Sequence, residues 1–323
     1  MRGLHLGQEI YTFFNIYGTK GLFGLFISVG LIAIIIYKTF NVIIENKIES
    51  YQEFITNVVP DRFKNNNILK FTINNIINIF LLISFNIMVA GFATYFWQEL
   101  NISKWCGAII IAILSLVTFS KNIDGIVKIN TYLIPTLILL ILFLGFKKIT
   151  NISIIEMQEN QNTLYWIISS VLYASYNSIT LVPILITLKK YIKTNKEAKV
   201  TSILTAIIMI VLSVCIFLLM NLFINKIAKI EIPIVYIAST MGMAFKYIYG
   251  ITVLIAIFTT AISAGYGFLS NATRNKKSYI VLSILICICS VFIGQIGFSN
   301  LINLLYPIFG YLGIIQIIFL LKT

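Results

Sequence analysis

The sequence predicts an all-α membrane protein that crosses the bilayer many times, and three observations lead to this class. Of the 323 residues, 59% are hydrophobic and 11% are charged, and the mean hydropathy is +0.95. A soluble domain of this length could not bury so much apolar surface. Apolar blocks long enough to cross about 30 Å of hydrocarbon recur along the chain. We therefore expect one transmembrane domain over 1–323, in the cell inner (plasma) membrane and surrounded by lipid.

Ten apolar blocks divide the chain: nine have the length of a complete span, and the first is a half-span. The segment 232–250 opens with Pro233 and is broken by Gly242 and Lys246. We expect it to be re-entrant, or to lie on the surface outside the membrane. The predicted blocks are 7–18 (half-span), 20–43, 71–97, 105–120, 131–146, 164–188, 201–225, 247–269, 280–297 and 301–321.

The basic residues, which give a net charge of +13, predict the orientation of the chain. Such a charge could indicate nucleic acid, but in membrane proteins Lys and Arg collect in cytoplasmic loops. With the loop 44–70 inside, fourteen of these residues lie in inside loops and six in outside loops. We therefore expect no nucleic acid partner. The inside residues are Lys47, Arg62, Lys64, Lys70, Lys121, Lys128, Lys189, Lys190, Lys193, Lys196, Lys199, Arg274, Lys276 and Lys277. The outside residues are Lys20, Lys104, Lys147, Lys148, Lys226 and Lys229.

Residues typical of a hydrolase or a metal centre are scarce. The single histidine, His5, stands at the extreme N-terminus, and the four cysteines fall in or beside apolar blocks. Neither a metal-type spacing nor a nucleophile–base pair or carboxylate cluster is found. We therefore expect a protein that is not an enzyme, with no catalytic residues and no metal centre.

The sixth block, 164–188, carries a polar hexad at 173–178, followed by Pro183. Polar groups in hydrocarbon cost free energy unless they meet partners in the protein or face a watery cavity. Proline removes one more backbone hydrogen bond. The pattern predicts a helix that opens at mid-membrane and lines a solute site, as in many secondary transporters. The alternative is a kinked helix whose Ser and Asn side chains bond to neighbouring helices.

The hexad has the chemistry of a site for a small zwitterion. Unwound backbone would offer N–H groups to a carboxylate and carbonyl groups to an ammonium, and the hexad itself carries no charge. An amino acid or a similar small-molecule solute is therefore the expected ligand. The candidate substrate-binding residues here are Tyr173, Ser175, Tyr176, Asn177 and Ser178.

The first block, 7–18, can form only about three turns, roughly half a crossing at about 1.5 Å per residue. Its start, Gly7, Gln8 and Glu9, would then lie near the bilayer midplane, and all three are candidate substrate-binding residues. At this depth the carboxyl group of Glu9 would need a partner, a proton or a cation. Alternatively, Glu9 only caps the start of the helix, where the helix dipole favours a negative charge. The block is either an interfacial helix or a broken helix whose first half is missing because its start codon was assigned too late.

Gly7-Gln8-Glu9-Ile10, followed by Phe13-Phe14 and Tyr17-Gly18, resembles the second half of helix 1 in YkvI-like bacterial membrane proteins. These are members of the amino acid–polyamine–cation (APC) transporter superfamily. The resemblance runs on through the sixth block and 259–267. It implies the LeuT-type fold of two inverted five-helix repeats, with the first and sixth helices broken. In that family a Gly-Ala-Gly-Phe-Ala-type segment precedes the motif, whereas residues 1–6 here differ, so we expect this chain to lack the first half of helix 1.

The resemblance also implies a cation site on the eighth block, at Thr259, Thr260 and Ser263. Residues 259 and 263 share a helix face, and their oxygens would hold Na⁺ together with carbonyl groups of the first helix. Alternatively, the three hydroxyls bond to the preceding turn or to a neighbouring helix. Apart from this possible Na⁺, no cofactor is expected.

These features predict a secondary active transporter of a small amino-acid-like solute that works by alternating access. Na⁺ and H⁺ are the candidate coupling ions. The alternative is a membrane receptor or assembly component with the same fold, which binds without transporting. The sequence leaves the oligomeric state open.

Overall fold

The computed structural model describes residues 7–49, 51–59, 67–120, 124–149, 164–227, 230–273 and 275–322. All regular structure in these ranges is helical, so the predicted polytopic all-α class is confirmed for the described part of the chain. Residues 1–6, where the first half of helix 1 is expected, lie outside these ranges. So do five residues that entered the orientation count: Arg62, Lys64, Lys121, Lys229 and Arg274.

The described ranges contain thirteen α-helices and two short 3₁₀ turns, Asn15–Tyr17 and Gly294–Ile296. The α-helices are α1 (Gln8–Phe13), α2 (Thr19–Glu45), α3 (Tyr51–Val58), α4 (Asn67–Leu100), α5 (Lys104–Phe119), α6 (Asp124–Ile149), α7 (Tyr165–Thr187), α8 (Asn195–Leu222), α9 (Ile224–Ile227), α10 (Pro233–Ser239), α11 (Met243–Ala272), α12 (Lys276–Ile293) and α13 (Phe298–Lys322).

Eight helices in the described ranges are long and apolar enough to cross a membrane: α2, α4, α6, α7, α8, α11, α12 and α13. The sequence predicted nine complete spans. The predicted span that falls short is 105–120, which forms α5. This helix is apolar but has only 16 residues, which cover about 24 Å at 1.5 Å per residue. Its start is fixed by Ser103, whose hydroxyl oxygen accepts a hydrogen bond from the Trp105 N–H group at 3.3 Å.

The first block is interrupted as well as short. The six-residue α1 is followed by Phe14 and the 3₁₀ turn Asn15–Tyr17. Glycines in the left-handed region of φ bound the segment, Gly7 at +80° and Gly18 at +56°. Because few other residues adopt these angles without strain, the two glycines fix where the segment begins and ends.

The segment 232–250 differs from the expectation of a helix lying on the surface. It contains α10, whose residues Pro233, Ile234 and Val235 are all buried. Gly242, at φ +119°, ends the segment, and α11 begins at Met243. Lys246 therefore belongs to the first turn of α11 and does not interrupt a helix, and its ammonium group pairs with the Glu99 carboxylate at 2.8 Å.

The chain forms two compact units, and each takes a block from both halves of the chain. The first unit comprises 1–11, 78–156 and 215–303. The second comprises 12–77, 157–214 and 304–323. Four of the five boundaries fall inside α1, α4, α8 and α13.

In the second unit, α2 and α13 pack closely against α7 at small residues. A Cβ atom added to Gly310 would lie 2.9 Å from the Leu172 side chain, and one added to Gly313 would overlap the Ser175 carbonyl oxygen. On α2, the Ser28 hydroxyl donates to the Ser170 carbonyl oxygen at 3.0 Å. Small residues let the helix backbones approach without a side chain between them.

In the first unit, α11 packs against α5, α6 and α10, and α5 packs against α12. Gly265 of α11 lies against the rings of Phe85 and Phe119, where an added Cβ atom would overlap Phe119. Gly107 of α5 similarly lies against α4, and its added Cβ would be 2.8 Å from the Ala93 Cα atom. These contacts make the unit a closely packed helical body.

We predict that Gly313→Val lowers the free energy of unfolding by about 2 kcal/mol, because the new side chain must push α13 away from α7. Thermal unfolding of the purified protein in detergent measures the effect. Gly30→Val is the matched control, since Gly30 is also in a helix but has open space around its Cβ position. Equal losses of stability in the two variants would contradict the close packing.

Candidate functional site

The polar hexad lies in an unbroken α-helix. Helix α7 runs from Tyr165 to Thr187 and includes both the hexad and Pro183. The prediction that this span opens at mid-membrane is therefore wrong. Since the backbone N–H and C=O groups of the hexad stay within a helix, the zwitterion site expected from unwound backbone is not formed there.

The hexad stays helical because its polar side chains bond to the preceding turn of the same helix. The Ser175 hydroxyl donates to the Val171 carbonyl oxygen at 2.7 Å, and the Ser178 hydroxyl donates to the Ser175 carbonyl oxygen at 2.7 Å. The Asn177 amide donates to the Tyr173 carbonyl oxygen at 2.9 Å. Such bonds satisfy polar groups in hydrocarbon without a partner helix, so the hexad does not require an opening.

The two tyrosines of the hexad belong to a buried aromatic cluster that includes the end of α1. The Tyr173 ring lies edge-on to the rings of Phe13 and Phe14, with centroids 5.5 and 5.0 Å apart. The Tyr176 ring stacks on Tyr306 of α13 at 4.6 Å. The structure thus brings together Tyr173, Tyr176 and the Phe13-Phe14 pair of the sequence motif. Tyr306 was not predicted, since nothing in the sequence marks it.

A hydroxyl group of α7 also holds the end of α1 in place. The buried Ser169 hydroxyl donates to the Phe13 carbonyl oxygen at 2.8 Å. This bond satisfies one of the carbonyl groups left without a partner where the short helix ends. Ser169 precedes the hexad and was missed, because a serine on an apolar helix usually bonds to its own helix.

The start of α1, in the first unit, holds the other predicted substrate-binding residues. Gln8 and Glu9 are buried, and the Glu9 side chain, in the first turn, is only 4% exposed. A Cβ atom at Gly7 would lie 2.7 Å from the Ile234 side chain and 3.1 Å from the Met220 sulfur. The sequence therefore buries a carboxyl group at the start of a helix that is packed against α8 and α10. Its roles in substrate binding and in capping remain predictions.

The predicted cation-binding residues lie on α11, in the first unit. Thr259 is buried, and Thr260 and Ser263 are half-buried. The Thr259 hydroxyl donates to the Ala256 carbonyl oxygen at 3.2 Å, and the Ser263 hydroxyl donates to the Thr259 carbonyl oxygen at 2.7 Å. Each oxygen keeps lone pairs that could bind a cation, so Na⁺ binding here stays a prediction. Among the described residues, no three His, Cys, Asp or Glu side chains are grouped to hold a metal ion.

The first unit contains a charged network that the sequence did not reveal. The Glu231 carboxylate, just before α10, pairs with the Lys104 ammonium at 2.8 Å. It also accepts from the Thr94 hydroxyl at 3.3 Å and from the Ser299 N–H group at 3.2 Å. With side chains only 21% and 18% exposed, Lys104 and Glu231 form a largely desolvated ion pair with additional donors.

A second set of contacts extends this network along α4. The Gln98 side chain accepts from the Ile232 N–H group at 3.0 Å and donates to the Ile232 carbonyl oxygen at 3.3 Å. The neighbouring Glu99 carboxylate pairs with Lys246 at the start of α11. Together with Glu231, these residues fasten the chain before α10 to α4 and α5. No sequence spacing links them, because their positions are remote along the chain.

Comparisons with known proteins give two relatives in Bacillus subtilis (strain 168). An uncharacterized membrane protein, YkvI, is 26% identical over 330 residues, which cover 97% of this chain and 89% of that protein. An uncharacterized protein, YyaD, is 27% identical over 240 residues, covering 73% of this chain and 69% of that protein. No family model matches the chain. The similarity to YkvI therefore extends along nearly the whole chain, as the first-block motif led us to expect.

We predict that Glu231→Ala lowers the free energy of unfolding by about 2 kcal/mol, because it leaves a largely buried ammonium group without its counter-ion. A double-mutant cycle with Lys104→Ala, read by thermal unfolding in detergent, isolates the pair. The double variant should lose less stability than the sum of the single losses, by about 1 kcal/mol. Strict additivity would show that the two charges contribute independently.

Proposed function

We propose that this chain is a secondary active transporter of a small amino-acid-like solute, and that the Glu9 carboxyl group couples transport to H⁺. The single observation that carries the proposal is the burial of Glu9 on a six-residue helix. An ionisable group inside a membrane protein is costly, and such groups mark ion pathways, proton relays and substrate sites. A carboxyl group at this position could gain and lose a proton as the transporter cycles.

The short, interrupted α1 supports the same proposal. Irregular backbone at membrane depth is tolerated where it is buried in protein or lines a water-filled cavity. Discontinuous helices of this kind carry the substrate and ion sites of many transporters. The segment from Gly7 to Gly18, bounded by left-handed glycines and containing a 3₁₀ turn, has these features.

The composition of the two units gives further support. Each unit is built from three blocks that come from both halves of the chain, as expected when two related halves exchange equivalent helices. The resemblance to the APC superfamily implies the same duplicated LeuT-type fold. It also implies an amino-acid-like solute. In place of free backbone groups, the unbroken α7 would offer such a solute hydroxyl groups and aromatic rings.

A second candidate function is favoured by α7 itself. An unbroken helix with internally bonded Ser and Asn side chains is what a membrane receptor or assembly component would keep if it bound a solute without moving it. Binding without gradient-driven flux distinguishes this candidate from the transporter.

We predict that Glu9→Gln abolishes proton-driven uptake. The purified chain is reconstituted into proteoliposomes with a trapped pH-sensitive dye and exposed to a mixture of the proteinogenic amino acids, with an imposed pH or Na⁺ gradient. The unsubstituted protein should move protons together with the solute. Glu9→Gln should lower this proton flux by about 100-fold or more, because the amide group of Gln cannot bind and release a proton as a carboxyl group does. Glu45→Gln is the control, since it removes a carboxylate that is exposed at the end of α2.

The outcomes separate the alternatives. Uptake driven by Na⁺ and unchanged in Glu9→Gln would reject proton coupling and favour the cation site on α11. Thermal stabilisation by the amino-acid mixture without uptake under either gradient would favour the receptor. Neither uptake nor stabilisation would reject an amino-acid-like solute.

A further inference from the structure

The chain from the end of α7 into the first turns of α8 is strongly basic, and one of its lysines has a structural partner. Five lysines lie between residues 189 and 199. The Lys189 ammonium donates to the Ile48 carbonyl oxygen at 3.1 Å and pairs with the Glu49 carboxylate at 3.3 Å. Lys189 therefore ties this connection to the chain that follows α2, and its charge is used within the protein.

The other four lysines, Lys190, Lys193, Lys196 and Lys199, are exposed, and among the described residues none of their ammonium groups forms an ion pair. The only acid in this stretch, Glu197, is engaged in capping α8. Its carboxylate accepts from the N–H groups of Lys193 and Thr194 at 2.7 and 3.2 Å. The Thr194 hydroxyl oxygen in turn accepts from the Glu197 N–H group at 3.2 Å. Because this reciprocal cap engages the helix start, the remaining anion-binding capacity lies in the lysine side chains.

The exposed apolar face of α8 begins directly below these lysines. Val200, Ile203 and Ile207 follow Lys196 at intervals of four, three and four residues, so the four side chains lie along one helix face. The three apolar side chains are 49%, 48% and 53% exposed. The Tyr191 ring, 67% exposed, lies in the preceding connection, and tyrosine is enriched at the membrane–water interface.

We propose that this end of α8 is a binding site for an anionic phospholipid. The phosphate headgroup contacts Lys193, Lys196 and Lys199, and the acyl chains lie along Val200, Ile203 and Ile207. A soluble anion or a nucleic acid would use the charges but not the apolar face, whereas a phospholipid uses both. The lysine bias predicts that this end faces the cytoplasm, where anionic lipids attract basic side chains next to membrane helices. The inference is independent of the transported solute.

The site is tested on the full chain in neutral detergent by titration with phosphatidylglycerol or phosphatidylcholine, with thermal unfolding as the readout. Phosphatidylglycerol should stabilise the protein at a lower concentration than phosphatidylcholine. In Lys193→Gln/Lys196→Gln/Lys199→Gln, the midpoint concentration for phosphatidylglycerol should rise by about tenfold or more, because each nearby lysine contributes appreciably to anionic-lipid binding. The triple Arg variant should keep the midpoint of the unsubstituted protein.

The matched control is Lys276→Gln/Lys277→Gln/Lys322→Gln. It removes three charges from helix ends on the inside, since the predicted orientation also places Lys322, at the end of the last helix, in the cytoplasm. Its phosphatidylglycerol midpoint should change little. If the midpoint rose equally in the control, the effect would come from general electrostatic attraction to anionic lipid, and the proposed site would be rejected. Equal midpoints for the two lipids would overturn it as well. If glycerol 3-phosphate stabilised the protein and phosphatidylglycerol did not, the lysines would bind a soluble anion, and the lipid site would be rejected.

Discussion

The requirement that every polar group carried into hydrocarbon finds a partner inside the protein governs the architecture of this chain. Helix α7 meets it with side chains that bond to the preceding turn, as Ser175 and Asn177 do, and it remains a continuous helix. The end of α1 meets it through Ser169, which satisfies the Phe13 carbonyl oxygen. In the first unit, Glu9 is a buried carboxyl group. Ionisable groups inside membrane proteins cost free energy, and they mark ion pathways, proton relays and substrate sites.

The same physical rule acts differently at the helix ends. In the first unit, Glu231 gathers an ammonium, a hydroxyl and a backbone N–H group, so a partly buried charge fastens the chain before α10. In the second unit, the exposed lysines at the start of α8 keep their charges available at the edge of an apolar face. The Glu231 charge is thus neutralised where helices join, whereas the lysine charges remain exposed beside the apolar face of α8.

Composition and block length sufficed to predict the all-α membrane class and the short first block, because both follow from hydropathy along the chain. The opening of the span at 173–178 was predicted wrongly, because the same Ser and Asn residues can line a cavity or bond to their own helix. The place of Lys246 within a helix could not be predicted, because its pairing with Glu99 depends on tertiary structure, and a re-entrant segment at 232–250 stays a prediction. The aromatic cluster at Tyr306 was likewise beyond a sequence argument, since it depends on how α13 packs.

The most direct test of the central claim is infrared difference spectroscopy of the reconstituted protein before and after adding a mixture of proteinogenic amino acids. The carbonyl stretch of a protonated carboxyl group reports whether Glu9 gains or loses a proton. We expect a difference band in this region that depends on the amino acids and is lost in Glu9→Gln. A band that persists in the variant, or no band when the amino acids bind, would contradict the role of Glu9.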